Sequence, residues 1–145
     1  MMTQRTRTVM ALLGYSGLLP FYACALWLLI PGLPGEALAG RLFLVYGVVI
    51  LAFLGGSLWG NAVIHPEPRK HARLIISNIV ALFAALAGVA GSLFIGGLLL
   101  AVGQLALLLY ERGSGDTRGW YLQFRTRLTL GVLPAHGLFA VGVAS

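Results

Sequence analysis

From Leu74 to Tyr110 the chain runs without one charged side chain. A single helix of that length would extend about 55 Å, far beyond the roughly 30 Å of hydrocarbon in a bilayer. The segment is therefore expected to fold back on itself as a tight helical hairpin. Gly88, Gly91, Ser92, Gly96 and Gly97 offer the turn, and the sequence does not choose among them. The alternative is one tilted, broken helix, which would leave four spans in the chain instead of five.

The rest of the sequence fits the same solvent. Of 145 residues, 59% are hydrophobic and 10% charged, with a mean hydropathy of +0.90, whereas about a quarter of the residues in a soluble domain carry charge. Ten Lys and Arg, four Asp and Glu, and three His cannot cover a compact soluble domain without leaving large apolar patches. The expected fold is all-α, a polytopic transmembrane helical bundle forming a single integral-membrane domain over residues 1–145. Its five spans are expected at about 9–30, 40–64, 74–90, 93–110 and 128–143. The first stops at the breaker cluster Pro31-Gly32-Leu33-Pro34-Gly35 and the second at His65-Pro66-Glu67-Pro68.

Cations set the expected orientation, because short cytoplasmic loops carry an excess of Lys and Arg. Arg5 and Arg7 precede span one. Arg69, Lys70 and Arg73 separate spans two and three, and Arg112, Arg118, Arg125 and Arg127 separate spans four and five. With five spans all of these share one side, and only Arg41 falls opposite. The N-terminus is thus expected in the cytoplasm and the C-terminus in the periplasm, in a multi-pass protein of the cell inner membrane. A four-span arrangement would put the last basic cluster on the wrong side. Ala37-Leu38-Ala39 has the form of a signal-peptide cleavage site, but the apolar core before it exceeds the roughly 7–15 residues usual for a signal peptide. A retained anchor fits better, and a lipoprotein reading of Cys24 conflicts with Phe21 and Tyr22. Cys24 reads as a small apolar helix residue.

Within lipid, helices associate through close packing of small residues and a few interhelical hydrogen bonds. Ala52, Gly56 and Gly60 recur every four residues in span two, so this face is expected to pack and span two to be central in the bundle. A second ladder, Ala84, Gly88, Ser92 and Gly96, straddles the hairpin. Polar residues at membrane depth, Ser57, Asn61, Asn78, Gln104 and His136, must find partners or a wet cavity. Interhelical hydrogen bonding is the plain reading, and a polar pocket lined by these residues the sharper one. His136 follows Pro134 in span five. It is a functional candidate as an ionisable group in the membrane, yet no intramembrane carboxylate stands out to pair with it. The segment holding Trp120, Tyr121, Arg125 and Arg127 reads as an amphipathic anchor at the cytoplasmic interface, with aromatics at headgroup depth and arginines toward anionic lipid. Partner docking is the alternative for that segment.

Catalytic signatures are lacking: there is no P-loop, GxGxxG, HExxH or GxSxG, and the four acids Glu36, Glu67, Glu111 and Asp116 fall in or beside loops. No enzyme activity, cofactor or metal site is expected. The net charge of +6 is dispersed between apolar runs, so nucleic acid is not an expected partner.

Three stretches carry a family resemblance: Leu13-Gly14-Tyr15-Ser16-Gly17-Leu18-Leu19-Pro20-Phe21; Tyr46-Gly47 with Phe53-Leu54-Gly55-Gly56-Ser57-Leu58-Trp59-Gly60; and Trp120-Tyr121-Leu122-Gln123-Phe124-Arg125-Thr126-Arg127-Leu128-Thr129. In this order and spacing the chain resembles the domain-of-unknown-function family 3429, which includes the mitochondrial protein called transmembrane protein 69. The family pattern often places a histidine where this sequence has Leu58. The resemblance implies a multi-span protein of bacterial inner or mitochondrial membranes and brings no established activity. The expected role is a non-enzymatic accessory or assembly subunit acting by helix packing within the lipid bilayer, in a larger membrane complex or a homo-oligomer. The alternative is a small transporter or channel with a polar intramembrane pocket.

Overall fold

The computed structural model describes residues 2–64, 69–115 and 119–145. Among these, the regular structure is α1 (Gln4–Ser16), α2 (Leu19–Leu29), α3 (Glu36–Ala62), α4 (Arg69–Gly88), α5 (Leu93–Gly113) and α6 (Trp120–Ala144). With α1 and α2 taken as one bent unit, five helices are long and apolar enough to cross a membrane. The expected all-α bundle is therefore the fold. The second breaker cluster, His65 to Pro68, lies outside the described residues, as do Asp116 and Arg118. The fifth span begins at Trp120 instead of Leu128, which alters the reading of the segment between them.

Each break has a local cause. Pro20 lacks an N–H and cannot continue the hydrogen-bond ladder of α1, and the chain bends through Gly17 and Leu18. The bend exposes backbone that lipid cannot satisfy, and the Tyr46 hydroxyl of α3 donates to the Gly17 carbonyl at 2.8 Å. After α2, Gly32 and Gly35 take φ of 75° and 92°, conformations that glycine adopts without strain. The Trp27 indole N–H closes this loop by donating to the Pro34 carbonyl at 3.0 Å. At the hairpin, α4 ends at Gly88 and the Ser92 hydroxyl caps α5 by accepting from the Ile95 N–H at 3.4 Å. Of the five turn candidates, Gly91 and Ser92 lie in the turn. Gly88 closes α4 against Val48, while Gly96 and Gly97 pack inside the bundle.

The packing seam on α3 corrects the expected ladder. Gly40, Leu44, Gly47, Leu51, Gly55, Leu58 and Ala62 are buried, spaced by steps of three or four, which is the spacing that keeps one helical face on its neighbours. A Cβ at Gly55 would come within 2.8 Å of Val80 and 3.3 Å of the Ser77 carbonyl on α4, and one at Gly47 within 2.7 Å of Leu100 on α5. Gly56 and Gly60 have nothing within 4 Å, and Ala52 is only half-buried. The 52, 56, 60 series is one residue out of phase with the seam, a rotation of about 100°, so it faces away from the bundle.

Helix α3 packs on α2, α4 and α5, and α5 packs on α3, α4 and α6, so the centre is shared by these two. Phe21, Phe43, Leu51, Leu100, Leu107 and Phe139 form the buried middle. The outside is apolar too, with Leu12, Phe53 and Leu86 each about two-thirds or more exposed (67%, 70% and 66%). Such a surface suits hydrocarbon and not water.

Candidate functional site

Helix α6 enters the bundle with Trp120, Tyr121, Phe124 and Arg125 already in helical register. Arg125 consequently points inward, and its Nε donates to Glu111 Oε2 at 3.0 Å, with the two side chains 3% and 2% exposed. A buried guanidinium needs a counter-charge, since removing one partner would strand the other in a low-dielectric setting. Arg125 is thus a buried ion-pair member and not an interfacial anchor, and Glu111, in the last turn of α5 beside the loop, is buried with it. The signal was present in the sequence. Arg125, Thr129, Val132 and His136 recur at three and four, and all four are buried.

The other members of the presumed anchor segment behave differently from Arg125. Trp120 stacks on Phe124 with ring centroids 5.0 Å apart, and the Arg7 guanidinium of α1 lies 5.9 Å over the Trp120 ring. Arg127 is exposed. Nearby, Arg112 Nη1 donates to Thr126 Oγ1 at 3.3 Å, a second tie between α5 and α6. Arg73, near the start of α4, is 1% exposed, another buried cation that a loop reading of its cluster misses.

The five residues expected to share a polar pocket do not share one. Ser57 and Asn61 line a notch of about 250 Å³ together with Leu58, Glu111 and Tyr121. The Ser57 hydroxyl donates to the Leu54 carbonyl at 2.6 Å. Ser57 and Gln104 also line a larger cavity of about 450 Å³ bordered by α1, α2, α3, α5 and α6, with Tyr121, Arg125 and Thr129 on its wall. Asn78 is exposed and donates to the Leu74 carbonyl of its own helix at 2.9 Å. It faces away because α4 turns Arg73, Ser77, Ala84 and Ala87 inward, a stripe that leaves position 78 outside.

His136 stands apart among aromatic rings. Its Nδ1 lies 3.0 Å from the Val132 carbonyl, and its ring centroid is 5.3 Å from that of Phe21 and 4.9 Å from that of Phe43. Its Nε2 has no hydrogen-bond partner. Two residues earlier, Pro134 removes the donor for the Leu130 carbonyl, and the Tyr22 hydroxyl of α2 donates to the adjacent Gly131 carbonyl. A tyrosine therefore supports the proline-disturbed backbone in span five, as Tyr46 does in span one.

Chemically, the cluster at the arginine-rich end offers hydrogen-bond donors, one carboxylate already engaged by Arg125, and an apolar antechamber. Among the described residues no group of three His, Cys, Asp or Glu is gathered in a way that could hold a metal ion.

No curated protein and no solved structure matches the chain. A family match does cover nearly all of it, residues 6–141, and takes in the bent first span, the α3 seam and the Glu111–Arg125 pair. The chain belongs to the family described as protein of unknown function DUF3429.

Proposed function

We propose that this membrane protein is a non-enzymatic interaction subunit that recruits a partner helix through the outer face of α3, in the inner membrane and with its N-terminus cytoplasmic. The observation that carries this reading is the Gly56-Ser57-Leu58-Trp59-Gly60 segment, whose two glycines have no neighbour within 4 Å in this chain. Two small residues four apart let a second backbone approach closely. The beginning and end of that groove are flanked by Phe53 and Trp59, exposed by 70% and 54%, which supply apolar contact area beside it. The chain's own packing is served one residue away, by Gly55.

The test separates the two faces. Gly56→Leu with Gly60→Leu should leave the purified chain as stable as wild type while abolishing co-purification of its complex, or its own oligomer, in mild detergent. Wild-type protein that purifies only as a lone monomer, or a double variant that retains its partner, would overturn the reading. The transporter reading draws on the cavity holding Ser57 and Gln104 but has to do without Asn78 and His136, which lie elsewhere.

A further inference from the structure

The cavity of about 450 Å³ has two chemically distinct ends. Toward α1 it is walled by Met10, Leu13, Phe53 and Leu128. Of these, Leu13 and Phe53 are 68% and 70% exposed, so the cavity opens sideways between α1 and α3 into the space that lipid chains fill. Helix α1 is the most lightly held element, resting chiefly on α6. At the inner end stand Gln104, Arg125 and Thr129, which are 2%, 2% and 1% exposed. Arg125 Nη2 and Thr129 Oγ1 are buried and have no hydrogen-bond partner. A mid-helix threonine ordinarily bonds the carbonyl one turn back, and Thr129 does not. Two unsatisfied polar groups beside one cavity are costly unless an occupant completes them.

Charge decides what kind of occupant fits. Glu111 already neutralises Arg125, so an anionic head would leave a net charge buried against apolar walls. A neutral acceptor would take hydrogen bonds from the guanidinium, the hydroxyl and the Gln104 amide without that penalty. Phe21 and Phe124 also border the cavity and, with Trp120 already stacked on Phe124, offer aromatic edges to a flat head group. The volume lies in the range of single small-molecule sites, enough for one head group and the start of one chain.

We propose that this cavity binds a single-chain amphiphile with a neutral, ring-borne carbonyl head, of the isoprenoid-quinone class. The head lies at Gln104, Arg125 and Thr129, and the tail leaves between α1 and α3. The site shares Phe53 with the outer face of α3 proposed for the partner helix, but Gly56 and Gly60 do not line it and the head-group residues lie on α5 and α6, so either assignment can fail alone.

The test uses the full chain, resin-bound in dodecyl maltoside, with decylubiquinone as probe and retained quinone quantified after extraction. Wild type should bind saturably at one equivalent. Thr129→Val and Gln104→Leu keep the side-chain volumes, and each should weaken binding about tenfold, the effect of losing one hydrogen bond. Leu13→Phe, at the exposed mouth, should also weaken binding and serves as the variant least able to disturb the fold. Oleate, an anionic chain, and monoolein, a neutral ester without a ring, are the competing probes. Both should bind more weakly than the quinone. Non-saturable uptake, equal retention by wild type and all three variants, or stronger binding of oleate or monoolein would each overturn the proposal.

Discussion

The buried Glu111–Arg125 pair joins the last turn of α5 to the second turn of α6 at 3.0 Å. Removing the carboxylate in Glu111→Gln should destabilise the protein by about 3–5 kcal/mol, because the guanidinium is left buried. Pairing that change with Arg125→Met should restore most of the loss, since apolar replacement of both partners is close to neutral. Unfolding in a denaturant titration of the two variants checks both expectations. A single variant as stable as wild type would show that the pair is solvated and unimportant. Glycines give a second contrast: Gly97→Ala would bring a Cβ to 2.6 Å from the buried Phe139 ring, whereas Gly91 has open space. The first should cost about 1–3 kcal/mol by overpacking, and the second should be nearly silent in the same titration. At this scale the sequence was only partly legible. It marked Ser57 and Gln104 as polar residues at depth, and both line the larger cavity. It misread Arg125 because cations near a span end usually do lie at headgroups, and nothing in composition reveals which one has a carboxylate waiting on the next helix.

Helices were the most legible elements and their faces the least. Long apolar runs gave the number of span-length helices, five, because length and hydropathy are properties of the segment alone, while the start of the fifth was placed eight residues too late. The inward face of α3 was misplaced by one residue, since Gly55-Gly56 presents two adjacent glycines and only the neighbouring helices decide which one is buried. This yields a paired prediction. Gly55→Leu should impair folding by driving α4 away at Val80 and the Ser77 carbonyl, while Gly56→Leu should preserve the melting temperature of the isolated chain. Equal effects in a thermal scan would mean that α3 is rotated from the arrangement described. The bends carry their own test. Tyr46→Phe removes the donor to the Gly17 carbonyl and should lower stability by about 0.5–1.5 kcal/mol. Proteolysis or hydrogen exchange should then report greater opening of α1, with α4 and α5 unaffected.

The whole molecule is an apolar bundle with many large apolar side chains exposed, with Arg73, Glu111 and Arg125 buried near helix ends and Gln104 and His136 deeper in the helices. Fold class followed from the sequence because a bilayer imposes its thickness on every span. The larger cavity did not, because it opens between α1 and α3 and no local pattern encodes that gap. Both the partner face and the amphiphile site depend on the bundle lying in hydrocarbon with an odd number of crossings. Single-cysteine accessibility in a Cys24→Ala background tests this directly, with Thr3→Cys, Ser114→Cys and Ser145→Cys probed by a membrane-impermeant thiol reagent on intact and on opened cells. The account predicts that Ser145→Cys reacts from outside, while Thr3→Cys and Ser114→Cys react only after opening. Thr3→Cys and Ser145→Cys reacting from the same side would contradict it.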